Sequence, residues 1–206
     1  MVPVHRGMRR TLLPLTAAVM ASATVVAAAD PPAAPIAHWT LDEPDGDQAR
    51  DAVGGHHGTV HGAKPHEQGV VSRGRLFVRS EKNHVEVPYH ADFDIPSFTM
   101  SAWIQLTKPP TYSGIVGTRH GGKLELGRWY LVTYVVDDAT KECRLYLNGD
   151  RKKTIPYKGT PRLMKRGQKL LIGCSWGTEF MDGVIDDVKI WNRPFAEEQV
   201  RELAMR

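Results

Sequence analysis

Phe98-Thr99-Met100-Ser101-Ala102-Trp103-Ile104-Gln105-Leu106 is the stretch that decides the fold class. Its even positions, Phe98, Met100, Ala102, Ile104 and Leu106, are all apolar, the period-two pattern of a strand with one face against a core. Trp103 stands on the other face, which predicts that both faces are partly covered, as in a packed sandwich. Downstream, Trp129–Asp137 and Glu142–Leu147 read as strands, and Arg144-Leu145-Tyr146-Leu147 runs into Asn148-Gly149, a pair that supplies the positive φ angles of a tight hairpin. Ile36–Leu41, Gly58–Val60, Arg75–Phe77, His84–Val87, Gly114–Val116, Lys169–Ile172 and Gly183–Trp191 are further strand candidates, separated by Gly, Asp, Pro and Asn. The pattern changes at the chain's end. Pro194 suits a first helical turn, Phe195, Gln199/Val200 and Leu203 follow helical spacing, and Glu197 and Glu198 sit near the positive end. Many short strands and one terminal helix predict an all-β, two-sheet antiparallel sandwich.

At the other end, residues 1–29 combine Arg6, Arg9 and Arg10 with an apolar run from Leu12 to Val26 and the small residues Ala27-Ala28-Ala29. That is the build of a secretory signal peptide, and the run is short for a membrane span. A Pro/Ala tether follows at 30–35, which leaves 36–206 as one domain. The expectation is an exported protein, secreted, periplasmic or at the cell surface, with no membrane span once the signal is removed. The whole chain has 27 basic and 23 acidic residues. Without the signal the balance is 24 against 23, a near-neutral surface that argues against nucleic acid as a partner. Cys143 and Cys174 allow one disulfide in an exported chain, or two separate buried thiols.

Five segments in order carry a family resemblance. They are His38-Trp39-Thr40-Leu41-Asp42-Glu43 with Asp51-Ala52-Val53-Gly54-Gly55-His56-His57-Gly58-Thr59, Phe98–Ile104, Gly127–Tyr134, Arg144–Gly149, and Asp182–Pro194 with its Gly183-Val184-Ile185-Asp186-Asp187 core. Together they resemble the laminin-G-like jelly-roll domains of the concanavalin A-like lectin/glucanase superfamily. The resemblance implies a non-catalytic recognition module for a carbohydrate or an extracellular protein partner. An adhesion domain without a small ligand is the alternative, and a jelly-roll glycoside hydrolase the remote one. One departure stands out. Trp129 follows Trp103 by only 26 positions, where such domains carry one or two more strands, with Lys123-Leu124-Glu125-Leu126 as the remnant. Either a minimal member or an internal deletion accounts for it, and both predict a gap in one sheet.

Hydrolase chemistry would need two acids on one strand face, and neither E-x-D nor E-x-x-x-E occurs on an apolar strand. Asp186 and Asp187 are adjacent and point to opposite sides. The resemblance also implies calcium as a cofactor, held by Asp51 with Asp186 or Asp187. Against that, Asp at Gly-rich turns commonly caps backbone amides. His56, His57, His61 and His66 lack the spacing of a zinc site, so a structural role is expected of them. Arg162, Lys165, Arg166 and Lys169 form a basic run in a Pro/Gly-bounded connection, a solvated loop by default and a patch for acidic glycans in the minority reading. Trp39, Trp103, Trp129 and Trp191 lie in apolar strands and are expected in the core. Trp176 lies on a loop and is the candidate for stacking on a sugar ring.

Overall fold

A computed structural model describes residues 34–109 and 124–205, with the backbone of 113–114 and 119–120 between them. The expected signal segment lies outside the described residues. The strands are β1 (Ala37–Trp39), β2 (Gln48–Ala49), β3 (Gly58–His61), β4 (Lys64–His66), β5 (Gly74–Phe77), β6 (His84–Val87), β7 (Phe98–Leu106), β8 (Ser113–Gly114), β9 (Arg119–His120), β10 (Trp129–Asp137), β11 (Glu142–Leu147), β12 (Asp150–Pro156), β13 (Leu170–Ile172), β14 (Cys174–Ser175), β15 (Glu179–Phe180) and β16 (Gly183–Trp191). The helix α1 spans Glu197–Ala204. The larger sheet runs β12-β11-β10-β7-β16-β5-β4, with β1 also on β16. The smaller runs β13-β6-β3-β2, and β14–β15 and β8–β9 form two ribbons. All pairings are antiparallel, so the chain is an all-β sandwich with one C-terminal helix, as the alternation predicted.

Three nine-residue strands, β7, β10 and β16, form the centre of the larger sheet. Their inward residues meet the smaller sheet in a core that includes Trp39, Phe77, Val85, Ile104, Ile172 and Ile185. Each of these is at most 1% exposed, and burying a side chain of that kind contributes about 1.5–3 kcal/mol. A second cluster, Val135, Tyr146, Trp191, Phe195 and Val200, lies where α1 packs on the outer face. Thr99 ties that helix entry to β7: its hydroxyl donates to the Arg193 carbonyl at 2.9 Å and accepts from Phe195 N–H at 3.0 Å. This is why β7 is covered on both faces at its Phe98–Ser101 end. Trp39 and Trp191 are buried, but Trp103 and Trp129 are half-buried rather than core. Trp103 lines a shallow outer groove with Leu131, Trp191 and Leu203.

Among the described residues the larger sheet has no gap. β7 pairs directly with β10 from Phe98↔Val136 to Gln105↔Trp129. The shortened segment instead carries β8 and β9, two residues each, while 115–118 fall outside the described residues. Of the expected strand remnant 123–126, residues 124–126 lie in a loop and turn, and 123 falls outside the described residues. Among the described residues the smaller sheet runs from β13 to β2, and the β8–β9 ribbon of the shortened segment belongs to neither main sheet but lies against β14 and β15. The edge strand β12 is exposed throughout and carries Arg151-Lys152-Lys153, charges that discourage edge-to-edge pairing. The Asn148-Gly149 turn before it has φ of 51° and 82°, as its hairpin reading required.

The cysteines are a correction to the disulfide alternative. Cys143 and Cys174 are both free: Cys143 packs against the core from β11, which pairs with β10 and β12, and Cys174 sits buried on β14 in a separate ribbon with β15, its thiol donating to the Ser175 carbonyl at 3.6 Å. Burial pushes both thiols above the usual cysteine range, which makes them less reactive. Among the described residues no helix is long and apolar enough to cross a membrane.

Candidate functional site

The expected calcium ligands do not assemble. Asp51 bridges back to Trp39 at the mouth of the loop 51–57, and its carboxylate is filled by donors. Oδ1 accepts from the N–H groups of His38 (2.8 Å) and Val53 (3.0 Å). Oδ2 accepts from those of Gly54 (3.0 Å) and His56 (2.9 Å) and lies 2.8 Å from His56 Nδ1. Burial alone would raise this acid, but the backbone bonds and His56 hold it below the usual carboxylate range. The loop closes onto the core because Trp39 Nε1 donates to the His56 carbonyl at 2.9 Å. Gly54 is required here, since a Cβ would fall 2.2 Å from the His56 ring and 2.4 Å from the Ile36 carbonyl.

Asp186 and Asp187 occupy a β-bulge where the register of β16 against β7 shifts, and Asp187 has a φ of 53°. Asp186 Oδ2 accepts from Val70 N–H (2.7 Å) and Val71 N–H (2.9 Å), but buried Oδ1 has no partner. Burial lifts its pKa to about 6, against the pull of the two amides and with help from Asp187 and Asp42. Asp187 contacts His38 Nε2 and Lys189 Nζ, each at 2.5 Å, and the outcome, despite burial, is a lowered pKa. Asp51 and Asp187 are therefore committed to structure, Asp186 keeps one buried oxygen without a partner, and among the described residues none of the three belongs to a group of three ligand atoms close enough to hold an ion. Calcium does not fit this set, since it needs several unspent oxygens. Asp42 and Glu43 are engaged too, with the N–H groups of Arg73 and Arg50.

The open chemistry lies on the smaller sheet. Beside it, the turn from β14 to β15 holds Trp176 at φ 56° with 81% of its surface exposed. The turn is locked by Thr178 N–H to the Ser175 carbonyl (3.2 Å) and by the Ser175 hydroxyl to Glu179 (2.8 Å). His84, Glu86, Arg162, Lys169, Trp176 and Phe180 line a groove of about 850 Å³. Lys165 joins them from a turn closed by reciprocal bonds with Gln168, each 2.9 Å. Arg162 is steadied by the Asp94 carbonyl at 2.9 Å, and Lys169 faces Glu86 at 2.7 Å. Three residues of the basic run thus share one lining with Trp176, while Arg166 stands exposed outside it.

Sequence reasoning missed His84 and Glu86. Their spacing puts both on one face of β6, a signal present in the sequence, but the register that brings His61 opposite His84 depends on a pairing across 23 positions. Of the other histidines, His57 Nδ1 accepts from Asp51 N–H at 3.0 Å, a structural role. His66 sits at a turn with Gln68.

Residues 116–201 match a laminin-G family model described as the concanavalin A-like lectin/glucanases superfamily. No curated protein matches by sequence. Among solved structures, domain 4 of AbnA, a GH43 extracellular arabinanase from Geobacillus stearothermophilus in complex with arabinotriose, superposes with a TM-score of 0.64 at 17% identity, over 82% of this chain and 98% of that one. Trypanosoma rangeli sialidase in complex with the inhibitor DANA gives 0.64 at 14% identity, over 84% of this chain and 33% of the sialidase. The binding domain of Paraclostridial Mosquitocidal Protein 1 gives 0.61 at 14% identity, over 82% and 51%. The chain therefore spans about a third of the sialidase and half of the mosquitocidal binding domain. At these identities the likeness is one of fold.

Proposed function

We propose that this chain, a sandwich of concanavalin A-like fold, is an exported recognition module for a carbohydrate that carries negative charge. The observation that carries the reading is Trp176, an indole left 81% exposed beside the groove. An indole face in water is costly to maintain and suits the apolar face of a sugar ring. The groove lining adds Arg162, Lys165 and Lys169 against a single carboxylate, Glu86. That balance favours an acidic glycan over a neutral one. A lone carboxylate also supports binding without hydrolysis, since glycosidases of the common kinds use a pair. One fold relative supports the carbohydrate part of this reading, the arabinanase domain having been solved with the neutral sugar arabinotriose.

The test is calorimetric titration with oligogalacturonate and, in parallel, with neutral arabinotriose. Oligogalacturonate is expected to bind and to weaken on going from about 50 mM to about 500 mM salt, as screening of exposed charges requires. Trp176→Ala is expected to cost up to about tenfold in affinity with an unchanged melting temperature, because the ring packs on nothing inside. Binding that ignores both salt and Trp176 would overturn the reading.

A further inference from the structure

His61 and His84 are register partners on β3 and β6, and Glu86 stands two residues along β6 on the same face. One ligand atom from each lies within 4.8 Å of the other two. The two imidazoles are stacked, with centroids 4.5 Å apart and planes at 15°. His84 Nδ1 lies 2.8 Å from the Lys82 carbonyl. A carbonyl accepts and cannot donate, so Nδ1 carries the proton and Nε2 offers its lone pair. Metal-binding histidines are fixed in the same way, by a second ring nitrogen donating to a carbonyl or carboxylate.

We propose that this face of the smaller sheet is a binding site for one divalent transition ion, with His61, His84 and Glu86 as ligands. Two imidazole nitrogens and one carboxylate oxygen suit zinc, nickel or copper, whereas calcium and magnesium want oxygens throughout. The ligands come from two hydrogen-bonded strands, so little chain has to be ordered on binding. His84 and Glu86 also line the groove beside Trp176, and three protein ligands leave a coordination position open. The site stands independently of the glycan reading.

Two features sharpen the assignment. Lys169 Nζ lies 2.7 Å from Glu86 Oε1 and its side chain is 58% exposed. It competes for the carboxylate and is free to swing into solvent when an ion arrives. The other three-residue cluster, His56, His90 and Asp92, is already spent. His56 faces Asp51 at 2.8 Å and Asp92 at 3.1 Å through its two nitrogens, and His90 Nδ1 accepts from Asp92 N–H at 3.3 Å.

The experiment is calorimetric titration of the chelator-treated protein, without a histidine tag, by zinc chloride and separately by calcium chloride. One zinc site is expected and no response to calcium. His84→Ala, His61→Ala and Glu86→Gln are each expected to weaken zinc at least about tenfold, the usual cost of losing a ligand or its support. Lys169→Ala is expected to tighten it, and His90→Ala to leave it unchanged. Circular dichroism checks that each variant folds, with His84→Asn as the replacement should His84→Ala fail. A flat zinc titration, a loss that follows His90 in place of His84, or weak binding indifferent to all the variants would each overturn the proposal.

Discussion

Two buried aspartates in this sandwich meet opposite fates. Asp51 sits in the loop 51–57 with both carboxylate oxygens filled, by four backbone N–H groups and one imidazole. Asp186 sits in the β16 bulge with two amides on one oxygen and nothing on the other. Both are desolvated, and burial is the largest influence on each. The difference is the number of donors, which holds Asp51 charged and lets Asp186 climb to about 6. Burial by itself therefore does not mark a carboxylate for chemistry. The donor count decides whether it is mortar or a reservoir of unmet polarity.

The largest expected effect comes from breaking the satisfied site. Asp51→Ala orphans the N–H groups of His38, Val53, Gly54 and His56 together. At about 1–3 kcal/mol for each buried donor left unpaired, with some recovered by water, a loss of about 3 kcal/mol or more is expected. Asp51→Asn keeps one acceptor and is expected to lose less. Urea denaturation of both variants checks the order. If Asp51→Ala costs under about 1 kcal/mol, water satisfies this turn and the contrast with Asp186 is lost.

The second effect has the opposite sign. A carboxyl whose pKa is higher folded than unfolded binds its proton more tightly in the fold. Its contribution is complete below the unfolded value of about 4 and drains away as pH rises through about 6. Asp186→Asn keeps an oxygen for the Val70 and Val71 amides and removes the uncompensated charge. It is expected to stabilise the protein at pH 7 by about 1–2 kcal/mol and to flatten stability between about pH 4 and 6. Asp51 and Asp187, both lowered, give stability that is present above about pH 4 and lost as pH falls through their depressed values. Denaturant midpoints across that range separate the two behaviours. A stability that falls from about pH 4 to 6 with a slope that Asp186→Asn leaves unchanged would break the comparison.

How much of this was legible follows from what alternation can encode. β7, β10 and β16 were readable because their inward positions repeat every second residue and each is long enough to count. β12 was not, since an edge strand exposed throughout, Asp150–Pro156, has no buried face to print a pattern. Trp103 reads as core from its strand and is half-buried, because on its side of the sheet it lines an open groove with Ala34, Pro35, Val71 and Leu203 and is not covered by a second layer. At the candidate site, exposed Trp176 was visible as an aromatic between a serine and a glycine. His61, His84 and Glu86 were not visible as a group, because they meet only once β3 and β6 are paired in register. Local chemistry is written along the chain, and convergent chemistry is written in the pairing.

The smallest expected effect tests where the strength of the Asp51 loop ends. Asp92 lies 3.1 Å from His56 Nε2 and 3.3 Å from His90 Nδ1, but its side chain is 56% exposed. Water screens such a pair and competes for its oxygens, so Asp92→Asn is expected to change stability by less than about 0.5 kcal/mol. His56 would still be held from the buried side by Asp51 Oδ2, and by its carbonyl accepting from Trp39. A loss above about 1.5 kcal/mol would mean that Asp51, His56 and Asp92 act as one coupled chain. The contrast between the two buried aspartates would then rest on a network reaching the surface, and a double-mutant cycle of Asp51→Asn with Asp92→Asn would measure that coupling directly.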